Sequence, residues 1–466
     1  MSELFVRPTR AQWAAQAGKA LKGRALSELT RTDADGLTVA PLYAADDAVA
    51  PVFASRAADA DGRAWDLRTL IEGDTPESVN AAVLADLEGG AASVILSGAV
   101  LSDSDLLARA LDGVALELAA VGLDAGLAGP VAADALAVAA KGSPRAQLRF
   151  HMDPVSAFAA AGAAPRPLDE HLTLAANTAA RHAGAYPEAS FFLASGRVVH
   201  EAGGSAGQEL GFAAASALAS LKAGVAAGLS LERAARGTVL GVSVDAEYFD
   251  ALARVRALRL IWGSLVRALG LEVPATIEAR SSRRMLSARD PWPNLLRLTA
   301  AGFAGAVGGA DAVVLDGFSR AAGRPDAFAR RLARNTQLVL MEEAHLGRVD
   351  DPAAGSWFLD ARTRDLAEAG WAELQRIEGE GGVIAALKAG TIQARVATAR
   401  ALRETDLAEG RAQLIGVTKF VNAETRSAPV EAEPAATVSG GGDACVPLTP
   451  VRFAAPFETA TQEAAR

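Results

Sequence analysis

The strongest constraint on this chain is an alternation. Short β-branched or apolar runs recur through its middle, separated by longer alanine-rich stretches. The runs fall at 93–96 (SVIL), 114–120 (VALELAA), 147–152 (QLRFHM), 190–194 (SFFLA), 238–244 (TVLGVSV), 274–279 (PATIEA), 312–315 (AVVL) and 337–341 (QLVLM). Runs of this length read as strands, and the stretches between them, such as 76–87, 208–227, 247–269 and 291–302, read as helices, several opened by a capping Ser, Thr or Asp. Strand then helix, repeated eight times, predicts an α/β fold. The form expected is an eight-stranded (β/α) TIM-type barrel with an N-terminal extension and a C-terminal helical and linker tail. A doubly wound open sheet would share the rhythm, and the count of eight favours the barrel. The 114–120 segment could equally be helix, because period alone does not separate short apolar runs.

Composition closes off several classes. The hydrophobic fraction is 50%, but much of it is alanine. No stretch reaches the roughly 18 uninterrupted apolar residues of a spanning helix. The start, Met1-Ser2-Glu3-Leu4-Phe5, lacks a basic region followed by an apolar core, so no secretory leader is expected and the cytoplasm is the default location. Cys445 is the single cysteine, which excludes an internal disulfide and a cysteine-based zinc site. A net charge of −9 argues against a nucleic-acid backbone binder, and neither a nucleic acid nor a membrane is expected as partner. The five histidines, at 151, 171, 182, 200 and 345, are not spaced as a metal site.

The predicted barrel domain of residues 61–425 ends in closing helices at about 362–378, 382–389 and 392–404, and outside it lie an extension over 1–60 and a flexible linker and tail over 426–466. There is no phosphate-cradling GxxxxGK[ST] loop, and the glycines of GAVGGAD (305–311) precede a strand instead of following one. In a barrel the functional face lies past the C-terminal ends of the strands. That points to His151 and Asp153, Arg197 and His200, Asp245, Arg280, Asp316, and Glu342 with Glu343. These charged groups would bind a polar ligand or form a solvated rim. Arg254, Arg256 and Arg259 read as surface or interhelix ion pairs.

Four segments carry a resemblance: SGRVVHEAGGSAGQELGFAAA from Ser195, ARVRALRLIWGSLV from Ala253, ARNTQLVLMEEAHLGRVDDPAAGSWFLD from Ala333, and LIGVTKF from Leu414. Together they resemble the methylmalonyl-CoA mutase family, the adenosylcobalamin-dependent acyl-CoA isomerases, over about residues 30–425. The resemblance implies a barrel threaded by an acyl-CoA tail and followed by a cobalamin domain.

The chain also departs from that pattern. Arg68 stands where catalytic members of the family carry tyrosine, and the family's SGYHxxEAG becomes Ser195-Gly196-Arg197-Val198-Val199-His200-Glu201-Ala202-Gly203. Valine at 198 cannot hydrogen-bond a migrating thioester carbonyl. The cobalt-ligating D-x-H-x-x-G pattern is met only by Asp169-Glu170-His171, with Leu174 in place of glycine. By resemblance, the chain is expected to be a non-catalytic small subunit that binds no cofactor itself. Its expected partner is a large catalytic subunit, in a heterodimer, with adenosylcobalamin held by that subunit. Arg68, Arg197, His200 and Arg280 remain candidates for a pocket that would take an acyl-CoA. Two alternatives stand beside this reading: the substrate-binding barrel of a split acyl-CoA mutase, and an acyl-CoA-binding regulatory module. The 1–60 extension is the candidate contact arm.

Overall fold

The computed structural model of the chain describes residues 8–54, 56, 62–422, 424–432 and 441–458. Eight parallel strands close into a barrel. They are β1 (Asp66–Glu72), β2 (Ser93–Ser97), β3 (Ala120–Asp124), β4 (Leu148–Met152), β5 (Ser190–Ser195), β6 (Thr238–Val244), β7 (Ile277–Ser281) and β8 (Ala312–Val314). Each pairs with its neighbours in sequence, and β8 closes on β1 through Ala312↔Asp66 and Val314↔Arg68. Around them lie α1 (Pro76–Glu88), α2 (Ser104–Ala110), α3 (Gly129–Ala139), α4 (Leu168–His182), α5 (Ala206–Ala226), α6 (Tyr248–Ala268), α7 (Asn294–Val307) and α8 (Ala327–Leu338). The helix starts are chemically marked. Thr75 and Ser205 cap α1 and α5 by accepting from the backbone N–H of Ser78 and Gln208.

Two expected strands are corrected. The 114–120 run is turn, and β3 begins only at Ala120. The 337–341 run is the end of α8, widening into a π-turn over Val339–Glu343, so Glu342 and Glu343 do not stand on a barrel mouth. The strand that makes up the count is β1, where Trp65 precedes the pairing and its indole donates to Gln337 Oε1 at 3.0 Å.

Beyond α8, α9 (Trp357–Gly379), α10 (Val383–Ala389) and α11 (Thr391–Ala408) close the domain. α9 lies against α5 at two glycines: a Cβ on Gly211 would come within 2.8 Å of the Gly370 carbonyl oxygen. The extension divides in two. Asp33 pairs with Arg362 on α9, while Asp35 accepts from Ser205 Oγ and, at 3.0 Å, from the Gly207 N–H, so this part sits on its own barrel. The helix Arg10–Ala20 has no buried residue.

The tail is also more fixed than its composition suggests. Residues 441–458 lie as a strap across the loops after β4, β5 and β7. The backbone N–H groups of Cys445, Leu448, Val451 and Phe453 donate to the carbonyls of Gly162, Ala159, Glu201 and Arg284. Glu458 accepts from Ser287 Oγ and the Ala288 N–H.

Candidate functional site in the barrel axis

The inward faces of the strands carry charge, and the charges meet. Arg68 on β1 donates through Nη1 to Glu278 Oε2 on β7 at 2.6 Å, through Nε to Ser93 Oγ at 2.8 Å, and to Asp66. Arg280 donates through Nε to the other Glu278 oxygen at 2.6 Å and through Nη1 to Asp124 on β3 at 3.0 Å. The result is an alternating chain, Asp66–Arg68–Glu278–Arg280–Asp124, running across the barrel. Burial alone would raise the Glu278 carboxyl, but Arg280, His151 and Arg68 outweigh it and hold the group well below the usual carboxylate range. Arg68 and Arg280 are each pushed up by their acidic partners despite burial.

His151 sits in the same layer, its Nε2 4.0 Å from Glu278 Oε2. The register between β4 and β5 runs Arg149↔Ser190 and then Met152↔Phe192, a bulge that leaves His151 at φ +46°. Gly122 on β3 makes room for it, since a Cβ there would lie 3.2 Å from the imidazole. Burial, opposed by Glu278 and reinforced by Arg68 and Arg280, pushes the ring down to about 3, so it is neutral at physiological pH. Among the described residues neither ring nitrogen has a hydrogen-bond partner.

The remaining candidates are distributed. Arg197 lies over the C-terminal mouth, with Arg280, Glu201, Arg283 and Asp124 as electrostatic neighbours, and makes no ion pair among the described residues. His200 is not brought to the axis. It is 1% exposed, with Nδ1 3.0 Å from Glu209 Oε2 and Nε2 2.9 Å from Ser282 Oγ, in a pocket shared with Arg254. Val198 is half-buried against the core. The rim charges are paired: Asp316 with Arg283 and Arg320, Asp245 with Arg254 and Arg284. Asp153 caps the short helix Pro154–Ala161, and burial raises its carboxyl to about 7. Arg254 and Arg256, read as surface or interhelix ion pairs, are buried, and Arg256 pairs with Asp360 of α9. Arg256 ties Asp351, Asp360 and the Val52 carbonyl together.

Sequence reasoning missed Glu278, Asp124 and Arg149. The available signal was the i, i+2 spacing of Glu278 and Arg280 in an otherwise apolar strand, which places both on one face. Arg149 helps to line a cavity of about 580 Å³ at the opposite, N-terminal end of the barrel, with Arg56, Arg63 and Arg68 also on its wall. Among the described residues Arg149 has no acidic partner within ion-pair distance: its guanidinium donates to the Glu188 carbonyl and to Gln147 Oε1.

The Asp169-Glu170-His171 segment does not present its histidine to a cobalt ion. Asp169 and Glu170 point outward from the first turn of α4 while His171 is buried. His182 is held by Asp134 at 2.7 Å, and His151 and His200 are sealed inside. Among the described residues no group of three or more metal-ligating side chains converges, and no helix is long and apolar enough to cross a membrane.

These features define a (β/α) barrel on an enzyme-type scaffold, its axis occupied by its own ion-paired side chains. The family model described as methylmalonyl-CoA mutase matches residues 93–439. A protein of Streptomyces virginiae named methylmalonyl-CoA mutase small subunit is 38% identical, over 92% of this chain and 71% of its own length. The probable small subunit of Mycobacterium tuberculosis (strain H37Rv) is 37% identical over 81% of this chain. The methylmalonyl-CoA mutase small subunit of Propionibacterium freudenreichii subsp. shermanii is 30% identical over 94% of this chain. The chain spans 60% and 72% of the length of these last two relatives. It belongs to the methylmalonyl-CoA mutase family.

Proposed function

We propose that this chain is a non-catalytic small subunit of an adenosylcobalamin-dependent methylmalonyl-CoA mutase. In this reading it supports a large subunit that interconverts methylmalonyl-CoA and succinyl-CoA, and the cofactor belongs to that partner. The names of the relatives support the subunit role. The single observation that carries the non-catalytic part is the ion-paired chain through the axis, Arg68–Glu278–Arg280–Asp124, which occupies the path an acyl-CoA tail would take. Admitting a tail would separate buried charges, and an orphaned buried ion costs several kcal/mol. Valine at 198 and arginine at 68 remove the groups that would act on the thioester.

Light scattering after gel filtration of the chain co-expressed with its large subunit tests this reading. A 1:1 complex is expected, with isomerase activity only when the large chain is present and retained when the small chain carries Arg197→Ala. A chain that remains alone, or turns over acyl-CoA with a cobalamin-domain protein and no large subunit, would overturn it.

A second reading has one observation in its favour. The cavity at the N-terminal mouth carries the acids Asp66, Glu88, Glu278 and Asp311 beside its four arginines, and it is Arg149, without an acidic partner within ion-pair distance among the described residues, that supports a regulatory module holding an acyl-CoA or another anion, since arginine forks suit phosphate and carboxylate. Calorimetry with succinyl-CoA and methylmalonyl-CoA decides it: saturable heat that disappears in Arg149→Gln supports it, and no heat above dilution at millimolar ligand removes it.

A further inference from the structure

The loops after β1, β2, β7 and β8 enclose a cavity of about 250 Å³ at the C-terminal mouth, the opposite end of the barrel from Arg149. Three guanidiniums stand on its wall: Arg283 from the loop after β7, and Arg320 and Arg324 from the segment after β8. Part of the remaining wall is bare backbone, from Gly73 after β1 and Gly98 after β2. Both positions require glycine, since Gly98 has φ +99° and a Cβ on Gly73 would come within 2.7 Å of Val79 Cγ2. Among the described residues neither backbone N–H donates to a protein acceptor.

The wall carries a single carboxylate, Glu72, and the other acids that pair with its arginines stand outside the lining. Arg324 is held by Asp74 and Glu431, and Arg320 by Glu72 and Asp316. Arg283 shares Asp316 with Arg320 and reaches it through Nε alone, at 2.7 Å. Its two Nη groups have no hydrogen-bond partner among the described residues, and the side chain remains 41% exposed. The unused donors of the cavity thus come from three separate loops, at Gly73, Gly98 and Arg283.

We propose that this cavity is a phosphate site, taking inorganic phosphate or the phosphate group of a small monoester. Donors approaching from three loops suit a tetrahedral oxyanion, whose oxygens face several directions, better than the two oxygens of a carboxylate. Backbone N–H groups and arginine forks are both common phosphate donors. The cavity is smaller than the roughly 300–1,000 Å³ of pockets for drug-sized ligands, so it holds one phosphate group and excludes a nucleotide. Its place agrees with the general tendency of (β/α) barrels to build phosphate sites from the loops after the seventh and eighth strands. The proposal stands apart from both functional readings above, because it needs neither a partner chain nor an open axis.

Calorimetry with inorganic phosphate, methyl phosphate and acetate tests it, on the unmodified chain, Arg283→Gln and Arg149→Gln. Asp316 keeps Arg320 when Arg283 is replaced, so the first variant strands no acid. Saturable heat with phosphate is expected from the unmodified chain and from Arg149→Gln. Arg283→Gln should bind at least about tenfold more weakly, the loss expected of one charge-assisted hydrogen bond. The tighter of the two phosphates identifies the occupant as the free anion or a monoester, and both results support the site. No saturable heat with either, unchanged affinity in Arg283→Gln, or heat that vanishes only in Arg149→Gln overturns it. Acetate bound as tightly as phosphate overturns the ligand class. Should Arg283→Gln fail to fold, hydrogen–deuterium exchange of the unmodified chain with and without phosphate decides. Slowed exchange at 72–75 and 97–100 supports the site, and unchanged exchange there removes it.

Discussion

The residues of the axis are valuable to each other and to little else. Glu278 is shared between two arginines, each of which would be left inside the barrel with one fewer counter-charge if it were lost. Glu278→Gln is therefore expected to destabilise the fold by about 3–5 kcal/mol, the cost of breaking a buried pair from one side. Arg197→Ala, at a guanidinium with no ion pair among the described residues, should cost under about 1 kcal/mol. Urea unfolding of the two variants measures the contrast, and equal midpoints would show that the chain of charges is not what holds the barrel closed.

Two groups in this region make stability depend on pH in opposite senses. His151, lowered from 6.5 to about 3, binds a proton in the unfolded chain before it does so in the fold, so its contribution is complete above 6.5 and declines as pH falls from there towards 3. Asp153, raised from 3.8 to about 7, holds a proton in the fold that the unfolded chain has released, so its contribution is complete below 3.8 and is lost as pH rises through 7. Asp153→Asn keeps a cap for the following helix and cannot ionise. Its melting temperature relative to the unmodified chain should rise by a few degrees more at pH 8 than at pH 5, and a constant offset across that range would contradict the burial of an ionisable Asp153.

At the scale of the element, the sequence was most legible where a strand carries no charged side chain. The predicted 238–244 matches β6 residue for residue, and 93–96 and 190–194 each fall one residue short of β2 and β5. It was least legible at β1, DLRTLIE, where Asp66, Arg68 and Glu72 interrupt the apolar run because alternate side chains point into a charged interior. The same cause hid the partners of Arg68 and Arg280: nothing local marks Glu278 or Asp124 as their counter-charges until the barrel closes. At β3 the glycine of AVGLD looks like a breaker, and its purpose, space for His151, lies on the neighbouring strand. The 337–341 run was misplaced because a helix end that is buried on one side and widened by a π-turn has the composition of a strand. The strap was hidden for a related reason, since its six-residue spacing of buried Leu448 and Ala454 follows no regular period. Its backbone pairing predicts that protease cleavage within 433–440 leaves the 441–458 fragment co-eluting with the barrel, whereas truncation at 440 lowers the melting temperature by several degrees. Release of the fragment on cleavage would mean that the strap is only loosely laid down.

Across the whole molecule, the extension joins two functions that the sequence presented as one arm. Its second half is part of the barrel's own packing, through Asp33, Asp35 and the Val52 carbonyl, whereas its first helix has no fully buried residue and is joined to the rest through the Arg10–Asp47 ion pair. Deleting residues 1–24 is therefore expected to leave the melting temperature within about 1 °C and to weaken capture of the large subunit at least tenfold. A deletion that carries on through Asp35 should unfold the chain. Thermal melts and binding measured on the same two truncations separate these outcomes, and full-strength binding by the shorter one would remove the arm from the interface.

The charged chain across the axis also bears on what this barrel can become. Each of its members satisfies a neighbour, so a substitution that reopens the channel by one residue strands an ion before it creates any useful space. The route from this barrel to one with an open channel thus passes through intermediates less stable than either end, and several positions must change together to cross it. On the non-catalytic reading proposed above, a loss of catalysis would work as a ratchet, and a designer who wants an open channel should replace Arg68, Glu278 and Arg280 in one step.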